Sequence, residues 1–181
     1  YVAAQEDVIQ NYKQVVEQVG LEVVRMEPEQ LALGRSLLKE GDGIKAILNL
    51  GNDDTTLSVF TDKKELVFFK TVDFGNRDLI TKIADEEGIS LKEAKHLKQK
   101  FGLNDTKREN KVASIIKEEF EEPIEEVKDE INYFEANFDK IDQVILSGKA
   151  SLAPGLGDYL AEGLGKMVQM GNPLVNLKDP S

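Results

Sequence analysis

The stretch Ala46–Phe60 constrains the fold of this chain more than any other. It reads AILNLGNDDTTLSVF: an apolar run interrupted only by Asn49, a turn that begins at Gly51, and a second run from Thr55 that mixes hydroxyl and apolar residues. Two such runs joined by a short turn are typical of a β-hairpin. Because glycine has no Cβ, Gly51 also allows another group to approach the backbone closely. Taken alone, the stretch is compatible with an ordinary hairpin or with a backbone cradle for a ligand.

The composition excludes several classes of function. A formal net charge of −11 in 181 residues disfavours a general nucleic-acid binder and direct docking on anionic lipid, because both need clustered Lys and Arg. The absence of cysteine excludes disulfides and thiolate metal sites and indicates a reducing cytoplasm. One histidine, His96, excludes a multi-histidine metal site, and no apolar run reaches the about 18 residues of a membrane helix. A first residue of Tyr1 rather than Met suggests a fragment.

The segment before the hairpin alternates β and α patterns. Apolar spacing and breakers predict, in order, a strand end at Val2–Ala4, a helix over Glu6–Val19, a strand over Leu21–Met26 and a helix over Glu29–Leu38. The glycines of Gly41–Gly43 then interrupt the pattern. We place a domain boundary there.

After the hairpin, a third strand and a long helical block follow. The patterns predict a strand over Glu65–Val72, a helix from Arg77, a second helix opened by the capping box of Ser90 and Glu93, a polar loop over Asn104–Asn110, and a long helix that keeps its apolar phase across Pro123. The apolar stripe of the long helix fits the protein's own core or a short coiled coil.

The last unit combines a strand, a glycine loop and a helix. Asp142–Ser147 reads as a buried strand, Gly148 follows it, and Pro154-Gly155 opens a helix. Free amides and a helix dipole at such a corner can hold an anion or a nucleotide, although many α/β proteins have such corners without a ligand.

The order of these units resembles the second half of the actin-like ATPases. Within that superfamily it looks like the type IV pilus assembly protein PilM family, which is related to the cell-division protein FtsA. The resemblance covers essentially the whole chain. The segments that carry it are AILNLGNDDTTLSVF, FGNRDLITKIA, EAKHLK with the following FGL, VILSGKASLAPGLGDYLAEGLG with the following GNP, and the earlier EPEQLALGRSL.

The resemblance implies a fold and a domain arrangement. We expect an α/β, actin-like ATPase (ribonuclease H-like) lobe with a mixed sheet and a helical insertion at about residues 77–140. Residues 1–40 would be the tail of the first lobe and its small subdomain, and residues 41–181 would be the second lobe. The family's first phosphate loop is then expected upstream of this chain.

The resemblance also implies site residues and cofactors. It assigns Gly51 and Thr55 to a second phosphate loop, Lys98 to the nucleoside side and Gly148 to the adenosine corner, with ATP and Mg²⁺ as the expected cofactors. It names no catalytic residue and no metal ligand here. Three positions depart from the family pattern: Asn49 replaces an aspartate, Lys149 replaces the second glycine of a pair, and Lys95 replaces an acid. A neutral amide cannot supply the carboxylate charge that orients Mg²⁺ or water, so these changes favour weak or lost hydrolysis.

The implied function is a cytoplasmic platform for type IV pilus assembly or a related secretion or competence system. Its expected partner is the cytoplasmic tail of an inner-membrane pilus assembly protein, which would hold it peripherally at that membrane. Nucleic acid and direct membrane insertion are not expected, and self-association is left open. The alternatives are an active actin-like ATPase, a polymerising cell-division-type actin homologue, and a purely helical module. The last is favoured only if the strands of Ala46–Val72 and Asp142–Ser147 do not join one sheet.

Overall fold

The computed structural model describes residues 4–103 and 111–177 of the chain. Six α-helices and five strands lie in these ranges. In chain order they are α1 (Glu6–Gln18), α2 (Glu29–Leu37), β1 (Lys45–Leu50), β2 (Thr55–Phe60), β3 (Leu66–Val72), α3 (Asn76–Glu87), α4 (Leu91–Phe101), α5 (Lys111–Asn137), β4 (Gln143–Ser147), α6 (Leu156–Leu164) and β5 (Val168–Met170).

The strands form one mixed sheet in the order β3-β2-β1-β4-β5. The hairpin β1–β2 is antiparallel, with Leu50 opposite Thr55, and β3 continues it as a meander. On its other side, β1 pairs in parallel with β4, and β5 pairs in parallel with β4. The parallel pair requires a long crossover, which α3, α4 and α5 provide.

The main core lies between the sheet and the helices α3 to α6. Ala46, Leu48 and Leu50 alternate along β1 and face these helices, since successive strand residues point to opposite sides. The apolar stripe of α5 faces the same core through Val112, Ile115, Ile116, Phe120, Ile124, Val127, Ile131 and Phe134. The stripe therefore serves the protein's own core rather than a coiled coil.

Helix α2 packs on the opposite face of the sheet. Its neighbour Leu38 joins Ile47, Phe60 and Ile145 in a second, smaller buried cluster. The helix lies so close to the sheet that a Cβ on Gly34 would come within 2.4 Å of the Phe60 ring. Gly34 thus sets the distance between α2 and the sheet.

Most of the predicted elements are confirmed. The hairpin, the third strand, the capped helix α4 and the strand β4 form as predicted, and Pro123 lies inside a single helix. Because the strands join one sheet, the structure excludes the purely helical module. The predicted loop over Asn104–Asn110 lies outside the described residues, as do residues 2 and 3 of the predicted first strand.

One predicted strand is wrong and one strand was missed. Leu21–Met26 is irregular, and Val24 is 90% exposed. A β pattern becomes a strand only where a partner edge exists, and within the described ranges this segment pairs with neither β3 nor β5. The missed strand is β5, whose three residues are too short to give a periodic signal.

Two helical glycines give opposite predictions for the same substitution. Gly34→Ala should destabilise the protein by about 1–3 kcal/mol, because the new methyl group must displace the buried Phe60 ring. Gly157→Ala in α6 is the matched control, since its Cβ would meet only Leu146 Cδ1 at 4.0 Å. It should be neutral or stabilising by about 0.5–1 kcal/mol through helix propensity. Urea unfolding of both variants measures the difference, and equal effects would contradict the close packing of α2.

Candidate functional site

The carboxyl ends of β1 and β4 lie side by side at one end of the sheet. Leu50 ends β1 and Ser147 ends β4, and the two strands are parallel neighbours. In open α/β sheets, ligand sites form outside the carboxyl ends of such strands. We call this end of the sheet, with the β1–β2 turn, the start of α3 and the loop after β4, the glycine corner.

Three glycines bring the backbones of the glycine corner into close contact. A Cβ on Gly148 would lie 2.1 Å from the Leu50 carbonyl oxygen, and Gly148 also has a positive φ of 88°. A Cβ on Gly75 would lie 2.5 Å from the Asn52 carbonyl oxygen, and one on Gly51 would lie 2.6 Å from the Asp54 carbonyl oxygen. No side chain fits at these positions, so the glycines are required by the contacts within the chain.

The first amides of α3 bind the β1–β2 turn. The Asn76 amide donates to the Gly51 carbonyl at 3.0 Å, and the Arg77 amide donates to the Asn52 carbonyl at 2.9 Å. The Gly75 amide donates to the side chain of Asp78 at 2.9 Å. Helix N-termini normally leave such amides free for an anion. Here these three already have acceptors.

Thr55 points into the protein. Its hydroxyl donates to the Phe74 carbonyl at 2.8 Å, and the residue is 2% exposed. Phe74 directly precedes Gly75, the N-cap of α3, so this bond ties β2 to the start of that helix. The hydroxyl is therefore committed to the fold of the corner.

Lys98 is buried as well, although it is charged. It is 2% exposed, and its Nζ donates to the Asn76 Oδ1. Burial, together with the nearby charge of Lys95, lowers the pKa of Lys98 to about 8. The bond joins α4 to the first residue of α3, which in turn binds Gly51. Lys98 thus reaches the glycine corner through Asn76.

Asn49 faces the other side of the sheet. Its Nδ2 donates to the Glu29 Oε1 at 2.9 Å, and Glu29 is in the first turn of α2. Its Oδ1 lies next to Gly148, since a Cβ built on Gly148 would be 2.9 Å from this oxygen. The amide therefore connects α2 with the ends of β1 and β4. An aspartate at this position could not donate to Glu29.

The other two residues that depart from the family pattern, Lys149 and Lys95, are exposed. Lys149 follows Gly148 but points to solvent, so the crowded loop does not have to accommodate its side chain. The loop is closed instead by Ser151, whose hydroxyl donates to the Gly148 carbonyl at 2.6 Å. Lys95 is also exposed on α4.

The structure brings the four predicted residues to one end of the sheet, where each already makes contacts within the chain. Gly51 and Gly148 hold backbones together, and Thr55 and Lys98 bond to neighbouring residues. Within residues 4–103 and 111–177, no group of three or more acidic or histidine side chains could hold a metal ion. The glycine backbone keeps side chains away from the ends of β1 and β4, which is compatible with a nucleotide. The roles of the four residues in nucleotide binding stay a prediction.

Sequence reasoning missed three contributors to the corner. Gly75 and Asn76 belong to the FGN segment, where a glycine directly before a helix could have indicated a close contact. Glu29 gave no signal, because its link to Asn49 joins residues 20 positions apart on different elements.

The burial of Lys98 predicts a distinctive pH dependence. Between pH about 8 and 10.5 the unfolded chain binds the lysine proton more tightly than the folded one, so stability rises with pH in this window. The free energy of unfolding of the wild type minus that of Lys98→Met should therefore rise from pH 8 to 10, by up to about 1.4 kcal/mol per pH unit. Urea unfolding measures it, with Lys92→Met on the exposed side of α4 as control. A pH-independent difference would contradict the buried charge.

Solved structures share the fold of this chain. The PilM–PilN type IV pilus biogenesis complex is 19% identical with a TM-score of 0.78, covering 94% of this chain and 49% of that one. The ethanolamine utilization protein EutJ from Carboxydothermus hydrogenoformans is 23% identical with a TM-score of 0.72, covering 93% and 57%. MreB5 of Spiroplasma citri bound to ADP is 16% identical with a TM-score of 0.67, covering 96% and 63%. The chain thus spans about half to three fifths of the length of these proteins.

No curated protein matches the sequence. A family model does: the model described as type IV pilus assembly protein PilM matches residues 1–180. Together with the actin-like fold shared with PilM, EutJ and MreB5, this match confirms the resemblance inferred from the motifs. The chain belongs to the PilM family of type IV pilus assembly proteins.

Proposed function

We propose that this protein is an actin-fold cytoplasmic component of type IV pilus assembly, or of a related secretion or competence system, and acts as a docking platform with a weak nucleotide site. Family membership supports the setting. The observation that carries the docking role is that polar side chains of the glycine corner are already hydrogen-bonded within the chain. Asn49 Nδ2, the Thr55 hydroxyl and Lys98 Nζ each donate a hydrogen bond to an acceptor within the chain. A ligand that took these donor hydrogens would have to break the bonds.

The proposed arrangement gives this chain the second actin-like lobe. Residues 41–181 would form that lobe, with the insertion at about residues 77–140, and residues 1–40 would be the tail of the first lobe. The close contact between Gly34 and Phe60 then lies where the tail meets the lobe. A complete nucleotide site would need groups from both lobes.

The proposed partner is the cytoplasmic tail of an inner-membrane pilus assembly protein. The support is the similarity to PilM in a PilM–PilN complex. No helix in the described ranges is both long and apolar enough to cross a membrane. Attachment to the membrane would then go through the partner.

The second candidate function is an active ATPase. The observation in its favour is the backbone of the glycine corner, where Gly51, Gly75 and Gly148 keep side chains away from the ends of β1 and β4. MreB5 structures with the same fold hold ADP and AMPPNP. Under this alternative, the Asn49 amide would act on Mg²⁺ through water.

Calorimetry of binding and an assay of phosphate release together separate the docking platform from the active ATPase. We expect the purified protein to bind a synthetic peptide of the cytoplasmic tail of the PilN-type protein from the same genome, and to do so equally well with and without Mg²⁺–ATP. Steady phosphate release should not exceed the protein-free background. A failure to bind the tail peptide would contradict the docking role, and low-micromolar ATP binding with steady turnover would establish the ATPase instead.

Because Asn49 is hydrogen-bonded to Glu29, a test of the weak nucleotide site needs a double variant. Asn49→Asp alone should destabilise the protein by about 1–3 kcal/mol, because it replaces a bond of 2.9 Å with two facing carboxylates. Adding Glu29→Gln restores a donor to the new carboxylate. We expect the double variant to fold like the wild type and to bind Mg²⁺–ATP at least tenfold more tightly, with Glu29→Gln alone as control. A folded double variant with unchanged affinity would show that Asn49 does not limit the site.

A further inference from the structure

Strand β3 is an exposed edge of the sheet. It is the terminal strand in the order β3-β2-β1-β4-β5, and in the described part of the chain only β2 pairs with it. Alternate residues of an edge strand present backbone N–H and C=O groups outward. Over Leu66–Val72 the strand is seven residues long, which is long enough to pair with another segment. In the sheet order β3 is two positions from β1, and its carboxyl end leads through Phe74 into the glycine corner.

The side of β3 that faces away from α5 exposes Val67, Phe69 and Thr71, two of which are apolar. Val67 is 49% exposed and Phe69 is 46% exposed, and both point away from α5. Natural edge strands are usually protected by charges, prolines or bulges, and an apolar exposed edge marks a place where another segment pairs. The bulge of this pair lies between Val59 and Phe60, at the start of β3, and leaves the rest of the edge regular.

Helix α5 packs against β3 on the face of the sheet opposite Val67 and Phe69, and it runs antiparallel to the strand. The ring of Phe68 lies 5.7 Å from that of Phe134, and Lys70 Nζ lies 2.8 Å from Glu130. Further along, the ring of Phe74 lies 4.9 Å from that of Phe120. Residue numbers therefore rise along β3 as they fall along α5.

This arrangement gives the edge an aromatic end and an acidic end. Beside the start of β3, Tyr133 of α5 and Phe138, which directly follows the helix, are exposed. Beside its end, a groove of about 320 Å³ is lined by Val72, Asp73, Phe74, Glu118, Glu119, Glu122, Pro123 and Glu126. Lys70 and Lys82 pair with Glu126 and Glu119. Among the described residues, no cation lies within 4.0 Å of the remaining acids, Asp73, Glu118 and Glu122.

We propose that the β3 edge is a docking site for an extended, basic segment of a partner protein, which adds to the sheet as a sixth strand. Its backbone would pair with β3, as in β-strand addition. Because side chains alternate along a strand, those on one side would meet the acids of α5 and those on the other would extend the apolar surface of Val67 and Phe69. The occupant is therefore a segment in which basic and apolar residues alternate.

A second copy of the chain fits this edge poorly. Symmetric pairing of two β3 strands would place the two α5 helices side by side on the same face of the joined sheet. Each carries the same row of acids, and the net charge of each chain is −11. Pairing two strongly acidic chains brings like net charge together, which opposes association. Charge complementarity favours a basic partner, whatever the glycine corner binds.

A synthetic peptide provides the probe. A labelled, end-capped ten-residue peptide of alternating lysine and valine should bind the purified protein in fluorescence anisotropy. A peptide of equal charge in which proline replaces every second valine cannot form the ladder of backbone bonds, and should bind at least tenfold more weakly. A peptide of alternating glutamate and valine should not bind. Equal affinity of the lysine–valine and proline peptides would overturn strand addition.

Two matched double variants locate the site. Glu118→Gln with Glu122→Gln removes two acids beside β3, and should weaken binding of the lysine–valine peptide about fivefold or more. Glu121→Gln with Glu125→Gln removes two acids from the flank of α5 that faces α6, where they line a groove with Tyr159 and Glu162. This second variant has the same net charge and should leave binding within about twofold. Equal weakening in both would mean that the peptide responds only to net charge, and would overturn the proposal.

Phe69→Lys tests the apolar side of the edge. The side chain is on the surface, so the variant should fold as the wild type does by circular dichroism, and Leu152→Lys at another exposed apolar position is its control. Phe69→Lys should weaken binding of the lysine–valine peptide at least tenfold, while Leu152→Lys should not. If sedimentation instead reveals a dimer that Phe69→Lys abolishes, a second copy occupies the edge and the proposal of a basic partner is wrong.

Discussion

The parallel pairing of β1 with β4 is the contact on which the rest of the structure depends. It joins Lys45 to Gln143, 98 residues away, and aligns the carboxyl ends of both strands. Parallel neighbours need a crossover, and α3, α4 and α5 form it while burying one face of the sheet. The same alignment presses Gly148 against the Leu50 carbonyl. Glycine is needed at position 148 because the sheet sets a short distance between the backbone of β1 and the loop after β4.

The glycine corner stabilises the fold with the polar side chains of Asn49, Thr55 and Lys98. Buried polar atoms must have hydrogen-bond partners, and here the partners are within the chain. Thr55 bonds to Phe74, Lys98 to Asn76 and Asn49 to Glu29. Each bond links two elements, so the corner is a joint between α2, α3, α4 and the sheet. A ligand that took these donor hydrogens would compete with bonds that hold the fold together.

Charge and exposed apolar surface are distributed unevenly over the lobe. The core side of α5 is apolar, and its surface carries many of the acids that give the chain its net charge. Glu118, Glu119, Glu122 and Glu126 lie beside the end of β3, whereas Glu121 and Glu125 lie on the flank that faces α6. The antiparallel course of α5 beside β3 thus gives one edge a direction, from aromatic to acidic. The acidic end of the β3 edge adjoins the glycine corner through Phe74, whereas the aromatic end lies beside Phe68 at the start of the strand.

The sequence by itself determined the features that depend on neighbouring residues. The hairpin of Ala46–Phe60, the capping box of Ser90 and Glu93, and the apolar period of α5 are local patterns, and the motif order was sufficient to identify the family. Tertiary structure alone decided that Leu21–Met26 is not a strand, that β5 completes the sheet, and that Asn49 and Lys98 bond to Glu29 and Asn76. The physical reason is that a strand needs a partner edge and a buried polar group needs an acceptor. Both are supplied by residues that are distant in sequence and adjacent only once the chain has folded.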